Sequence, residues 1–351
     1  MAGGIGSRFW PMSQADKPKQ FIDILGMGQS MLQTTFHRFE QICPRQNILI
    51  VTGSEYVSQV HEQIPGLEPW QVLGEPVRRN TAPCIAYAAS VIHSINPDAN
   101  IIVSPSDHAI FGTGRFQADI EQALSITGQN DCIVTLGVRP TNPNTGYGYL
   151  QFAEEPMDPQ TPSVHKVVTF TEKPPLEVAK AFLSTGEFFW NSGIFVWRLP
   201  VLMDAYRQYL PTVAEEFFTL TRDTDATAVE YTYSRSEAIS VDFGIMEKAT
   251  NVYVLEASFE WSDVESWETL RDTLPPKPGD NGNCIVSGNV FTYDVRDTIV
   301  HVPADRTLVL QGLEGFIVAG DKDTLLICRR DQEDRIVKFV SDVELRKMKV
   351  E

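Results

Sequence analysis

Asn100-Ile-Ile-Val-Ser-Pro-Ser-Asp-His108 reads as a short apolar strand running into a proline-bounded loop that carries a carboxylate and an imidazole. Parallel sheets place their ligands beyond the carboxyl ends of strands, so Asp107 is a candidate ligand group, with an ordinary loop turn as the alternative. The same rhythm extends to both sides. Helical periodicity over 54–64, 80–95 and 116–126 alternates with apolar β runs over 47–52, 70–73, 100–103 and 131–136. Continuous Ile/Val/Leu runs between amphipathic helices predict a mixed, mainly parallel sheet covered on both faces, in a Rossmann-like α/β domain.

Upstream, Gly3-Gly-Ile-Gly-Ser-Arg8 crowds three glycines ahead of a guanidinium, and Lys19 follows. Gly3, Gly4 and Gly6 let backbone N–H groups converge on an anion. Arg8 adds a planar fork and Lys19 a compact charge, a combination that suits a polyphosphate. The alternative is an N-terminal tail with chance glycines. A dinucleotide fingerprint starting at Gly4 would need glycine at Phe9, and no G-x-x-x-x-G-K-[ST] occurs. A phosphate-cradling loop ordinarily follows a strand, yet only Met1 and Ala2 precede these glycines. The sheet is therefore expected to lack its first strand, with the native frame beginning several residues upstream. Ser30 is the predicted N-cap of a helix reaching about residue 42.

Beyond Gly146 the expected strands lengthen (147–152, 164–171, 192–197) and helices are predicted over 176–184, 199–209, on through 235, and near 241–248. A strand over 252–256 and a helix after Ser262 complete a domain assigned to 1–273. Residues 274–282 form a turn-rich linker. Short β runs at 284–287, 290–293, 298–302, 307–310, 316–319, 325–328 and 336–339 predict a small β-helix-like domain over 281–351, closed by a helix over 342–350.

Composition narrows the partners. With 29 basic against 46 acidic residues the net charge is −17, which disfavours nucleic acid and anionic membrane. No apolar run approaches the roughly 20 residues of a bilayer span, and no signal segment precedes the glycines, so a cytoplasmic location is expected. The five cysteines are odd in number and mostly within apolar runs, as expected of reduced core thiols. His61-Glu62 begins like a zinc-helix motif, but Pro65 stands where the second histidine belongs.

Four further places carry candidate chemistry. Asp263, after a strand and at the start of a helix, offers a second carboxylate beside Asp107; magnesium needs few carboxylates when phosphate and water complete its shell. The alternative is a helix-capping aspartate. Glu172-Lys173-Pro174 ends another strand, with Lys173 a candidate phosphate ligand and Glu172 a candidate acceptor for sugar hydroxyls, or both solvated loop charges. Asn191 stands at a strand entry, where its amide could donate to and accept from hydroxyls, unless Asn-Ser-Gly is only a turn. Glu75 precedes the helix that begins near Asn80 and Thr81; a carboxylate can accept both N1–H and the exocyclic N–H of guanine, which makes Glu75 the candidate for base choice. An N-cap at Asn80 with charges in solvent is the plainer reading.

Taken together, Gly3-Gly-Ile-Gly-Ser-Arg8, Trp10-Pro11, Lys17-Pro-Lys-Gln-Phe21, Arg79-Asn-Thr-Ala-Pro83, Pro105-Ser-Asp-His108, Gly146-Tyr-Gly-Tyr149, Glu172-Lys-Pro174, Asn191-Ser-Gly-Ile-Phe195 and Trp261-Ser-Asp263 resemble the mannose-1-phosphate guanylyltransferases, a branch of the sugar nucleotidyltransferases. The resemblance spans nearly the whole chain. It implies a nucleotidyltransferase domain followed by a left-handed β-helix that helps form a homodimer, with Asp107 and Asp263 holding Mg2+. It further implies that GTP and mannose 1-phosphate are the substrates. Arg8, Lys19 and Lys173 would contact phosphates, Gly3, Gly4, Gly6, Glu75, Asn80 and Thr81 the nucleotide, and Gly146, Glu172 and Asn191 the sugar. From the length, the isomerase domain fused to some relatives is not expected here. Another sugar phosphate or nucleotide on the same scaffold, or a regulator that binds sugar nucleotides without turnover, are the alternatives.

Overall fold

A computed structural model describes residues 1–4 and 6–347, which divide into two compact units, each discontinuous in sequence. The first comprises Met1–Gly3, Arg38–Pro105 and Ile110–Trp261. Its centre is a six-stranded sheet in the order Asn100–Val103, Phe188–Arg198, Ile133–Val138, Val252–Glu256, Val164–Thr171, Tyr149–Pro156. The two-residue alternation of a strand decides what each face meets. Phe195 and Trp197 join one core with Ile85, Tyr206 and Phe217 of the helices Thr81–His93, Leu199–Tyr209 and Pro211–Phe217. Ile194 and Val196 turn to the other side, against Phe116, Ile120 and Ala123 of the helix Thr113–Gln129.

The expectation of a mainly parallel sheet is corrected. Within the described six-stranded sheet Ile133–Val138 and Val252–Glu256 run parallel, while Phe188–Arg198 is antiparallel to all three of its partners and Val164–Thr171 to both of its own. Unbroken apolar strands report burial on two faces and carry no information about direction. A separate parallel pair, Ile50–Gly53 with Val72–Glu75, sets Gly53 opposite Glu75. Ala2 bridges Thr52 in parallel, its N–H donating to the Val51 carbonyl at 2.7 Å, and the Met1 ammonium donates to the Ser104 carbonyl at 2.9 Å.

The second unit comprises Gly4–His37, Ser106–Ala109 and Ser262–Glu351. Most of its strands stack as parallel coils, with Leu325–Arg329 pairing antiparallel to Phe316–Gly320. Cys284–Ser287, Ile299–His301 and Phe316–Gly320 form one ladder and Asn289–Tyr293 with Thr307–Gln311 another. Val295, Val300, Leu310 and Val318 fill the coil interior. The N-terminal segment is built into this unit: His301 Nε2 meets the Asp23 carbonyl at 3.1 Å, and Gly26, at φ +66°, lies where a Cβ would stand 2.5 Å from the Val286 carbonyl. Ser30 caps the following helix as expected, accepting from Gln33 N while Gln33 Oε1 accepts from Ser30 N.

The strand expected at 336–339 is instead the start of the helix Ile336–Lys347. Ile336 is buried and Val337 exposed, with Phe339, Val340 and Val343 half-buried, which is the spacing of a helix face and not of a strand. The part of the expected final helix beyond 347 lies outside the described residues. The five cysteines are all free, Cys43 half-buried and the others buried. No helix among the described residues is long and apolar enough to cross a membrane.

Candidate active site

In the second unit the glycine loop, Asp107 and Asp263 come together around one ammonium. Lys19 is buried, and its Nζ lies 2.9 Å from Asp107 Oδ2 while donating to the backbone carbonyls of Asp263 at 2.8 Å and Val264 at 3.2 Å. An ammonium has three donors, so the protein accounts for all of them. Burial pushes the Asp107 carboxyl up, but the charge and hydrogen bond of Lys19, aided by His108, outweigh it and hold the carboxyl below its ordinary range.

The glycines fit this arrangement for different reasons. Gly6 adopts φ +67°, and a Cβ there would lie 2.6 Å from Lys19 Cβ, so only glycine lets the loop rest on the lysine stem. At Gly4 a Cβ would sit 3.7 Å from Asp107 Oδ2, an ordinary contact that shows the loop running beside the carboxylate. Arg8 pairs through Nη1 with Glu265 Oε1 at 2.6 Å, and both side chains are over a third exposed. Its backbone is anchored separately, because the Trp267 indole N–H donates to the Arg8 carbonyl at 2.9 Å and Phe9 meets Trp267 edge-on.

Asp263 does not begin a helix. The helix is Trp267–Thr273, capped by Ser266, and Asp263 stands in the preceding loop with Oδ1 accepting from Glu265 N at 3.2 Å. The carbonyls of Asp263 and Val264 face Lys19 because Val264 takes φ +46°, a left-handed conformation uncommon for a β-branched residue. The capping alternative for Asp263 is thereby removed.

The remaining candidates belong to the first unit and form two groups. Glu75 ends its parallel strand buried, and the Tyr233 hydroxyl donates to its Oε1 at 3.1 Å. Burial, against that hydrogen bond, pushes its carboxyl up to about 7. A Cβ on Gly3 would lie 4.0 Å from Glu75 Oε2. Asn80, at φ +69°, caps the helix Thr81–His93. Thr81 Oγ1 accepts from Val241 N at 2.8 Å, and Arg79 is spent on the Tyr233 carbonyl at 3.1 Å.

The second group gathers Gly146, Glu172 and Asn191. Gly146 N donates to Asn144 Oδ1 at 2.7 Å, and Lys173 is exposed on a left-handed backbone, its N–H donating to the Tyr147 carbonyl. Asn191 lies inside the strand Phe188–Arg198, not at its entry, because pairing extends through Phe188 to Trp190 on the Tyr149–Pro156 side. Its Oδ1 accepts from Thr135 Oγ1 at 3.2 Å and Gly193 N at 3.1 Å, while Nδ2 donates to Asp242 Oδ1 at 3.0 Å. The expected ability of Asn191 to accept from a ligand is therefore corrected: both lone pairs are in use.

Two residues of this group were not singled out in the sequence. A Cβ on Gly148 would lie 2.6 Å from Glu172 Oε2, so this glycine makes room for the carboxylate; its signal was the repeated glycine of Gly146-Tyr-Gly-Tyr149. Asp242 opens a π-helical turn over Asp242–Met246, a geometry common at functional sites, but nothing in the local pattern separates such a turn from a short α-helix. Burial first, then the charge of Asp242, pushes Glu172 up to about 7, and burial pushes Asp242 up to about 6.

Residues 1–275 match the family model described as nucleotidyl transferase. A Xanthomonas campestris xanthan biosynthesis protein, XanB, is 32% identical, with 98% of this chain and 72% of the relative covered. A mannose-1-phosphate guanylyltransferase 2 of Escherichia coli O157:H7 is 32% identical, with 98% and 73% covered. Among solved structures, one described as a mannose-1-phosphate geranyltransferase from Thermus thermophilus superposes with a TM-score of 0.87 at 27% identity, covering 98% of each chain.

Proposed function

We propose that this chain, which belongs to the nucleotidyl transferase family and within it to the mannose-1-phosphate guanylyltransferases, transfers GMP from GTP to mannose 1-phosphate, releasing pyrophosphate and forming GDP-mannose. The observation that carries this reading is the Lys19 ammonium, tied at once to Asp107 and to the Asp263 backbone beside the glycine loop.

A phosphate monoester is already a nucleophile, so the chemistry asks for positioning and charge stabilisation and for no covalent intermediate on the protein. A phosphate oxygen of mannose 1-phosphate attacks the α-phosphorus in line as the bond to pyrophosphate breaks. Arg8 contacts the departing pyrophosphate, Lys19, whose three donors are taken up by the protein, adds only its charge, and Lys173 anchors the sugar phosphate. Gly3, Gly4 and Gly6 offer backbone N–H groups, Glu75 selects guanine with Asn80 and Thr81 at the nucleotide, and Glu172, Asn191 and Gly146 orient mannose.

Two aspartates are a fitting donor set for Mg2+, a hard cation that keeps phosphate oxygens and waters as its other ligands. Among the described residues no group of three or more His, Cys, Asp or Glu gathers to make a protein-only cage. Asp107 and Asp263 would hold the ion, and its charge would help neutralise the phosphates.

The coils would be turns of a left-handed β-helix through which two copies associate in the cytoplasm. On one face of its parallel pair Phe291, Tyr293 and Val309 are exposed, with Phe291 directly opposite Val309. Light scattering would report a dimer, and Phe291→Asp with Val309→Asp would report a monomer; an unchanged mass would place the contact elsewhere. Catalysis is tested by pyrophosphate release over GTP, ATP, UTP and dTTP with several hexose 1-phosphates. Selective turnover of GTP with mannose 1-phosphate supports the reading. Equal rates with glucose 1-phosphate or another nucleotide refute the assignment of substrates, and tight GDP-mannose binding without turnover refutes catalysis.

A further inference from the structure

Asn191 has four hydrogen-bonding positions on its amide: two lone pairs and two N–H groups. Thr135 and Gly193 occupy both lone pairs, and Asp242 occupies one N–H. Because a backbone N–H can only donate, Gly193 fixes which end of the amide is oxygen. What Asn191 can offer a ligand is a single N–H.

Asp242 is held independently of Asn191. Its turn closes with Glu247 N donating to the Asp242 carbonyl at 3.0 Å, and the preceding Val241 N is tied to Thr81 Oγ1. With no lone pair left on Asn191, acceptance of sugar hydroxyls falls to Glu172, for which Gly148 leaves space.

We propose that Asp242 is a positioning residue of the sugar subsite: by accepting one N–H of Asn191 it commits that amide to donate its other N–H to a hydroxyl of the substrate, leaving Glu172 as the acceptor. The inference rests on the reading of this chain as a mannose-1-phosphate guanylyltransferase. Freed from Asp242, the amide could swing or turn its donors elsewhere, and hydroxyl recognition would lose its polarity.

Three variants and a pair of analogues test it. Asp242→Ala is expected to raise KM for mannose 1-phosphate about tenfold, the scale of a lost charge-assisted hydrogen bond, with KM for GTP within about twofold of wild type. Asp242→Asn keeps an oxygen that can accept from Asn191 and is expected to stay within about threefold. Fluorine accepts weakly but cannot donate, so at the hydroxyl that receives the Asn191 N–H the deoxyfluoro analogue should bind better than the deoxy analogue. That preference should vanish in Asn191→Ala. The analogue comparison uses the unaltered enzyme and so does not depend on Asp242→Ala folding. The inference is overturned if Asp242→Ala raises both KM values together, if Asp242→Asn is as impaired as Asp242→Ala, or if fluoro and deoxy analogues lose binding equally at every position. Absence of guanylyltransferase turnover in the wild type would instead overturn the functional reading beneath it.

Discussion

Lys19 Nζ lies 2.9 Å from Asp107 Oδ2, and the same nitrogen donates to the Asp263 carbonyl at 2.8 Å. One buried cation thus joins the glycine loop, the segment carrying Asp107, and the loop carrying Asp263. Its neutral replacement would leave a carboxylate without its counter-charge in surroundings that disfavour charge.

Lys19→Met keeps most of the stem length and removes the ammonium. Breaking a buried pair from one side costs about 3–5 kcal/mol, and because Asp107 is partly exposed the loss should fall near the lower limit. Urea denaturation would measure it. The Asp107 carboxyl is depressed in the folded state, so its contribution is full above the ordinary aspartate value and is lost as pH falls through the depressed one. Wild type should therefore lose stability in acid below about pH 4, and Lys19→Met should lack that limb.

Arg8→Ala should lower turnover by about 10²–10³ with little change in melting temperature. Its ion pair with Glu265 is over a third exposed, a kind worth about 0–1 kcal/mol, and its backbone is held through Trp267. Near-normal turnover would remove Arg8 from the pyrophosphate site.

Glu75→Gln should erode the preference for GTP over ATP, because an amide presents one acceptor and one donor edge where the carboxylate presents two acceptors. The wild-type carboxyl sits near 7 through burial, so KM for GTP should rise as pH falls below about 7, and the variant should be flat in that range. Steady-state kinetics at varied pH decides; an unchanged GTP/ATP ratio would contradict the role.

Glu172→Gln should make the protein more stable at pH 8 while weakening mannose 1-phosphate. A carboxyl raised to about 7 holds its proton longer folded than unfolded, so stability declines as pH rises from about 4.5 through about 7. The amide has nothing to titrate. Melting temperatures at pH 5.5 and 8 should therefore converge in the variant relative to wild type.

The legible part of this protein was the part written in short-range pattern. The strand Val252–Glu256 and the helix Leu199–Tyr209 follow from unbroken apolar runs and helical spacing, and Ser30 from capping chemistry. Strand direction was not legible, since Phe188–Arg198 looks the same read either way. Ile336-Val337 looked like a strand because both are β-branched, yet Ile336 packs inward with Phe339, Val340 and Val343 at helical spacing while Val337 stays exposed. At the site, glycines and charges announced Gly6, Lys19 and Asp107 individually. That Lys19 has no donor to spare depends on Val264, and that Asn191 has no lone pair left depends on Thr135, partners far apart in sequence.

The proposed reaction is a direct transfer of GMP to the sugar phosphate. Incubation with GTP, mannose 1-phosphate and Mg2+, with both products quantified by mass spectrometry, tests it most directly. GDP-mannose and pyrophosphate should form in equal amounts, both appearing only when the two substrates are present together. Pyrophosphate released from GTP alone, or GDP-mannose bound but never formed, would contradict it.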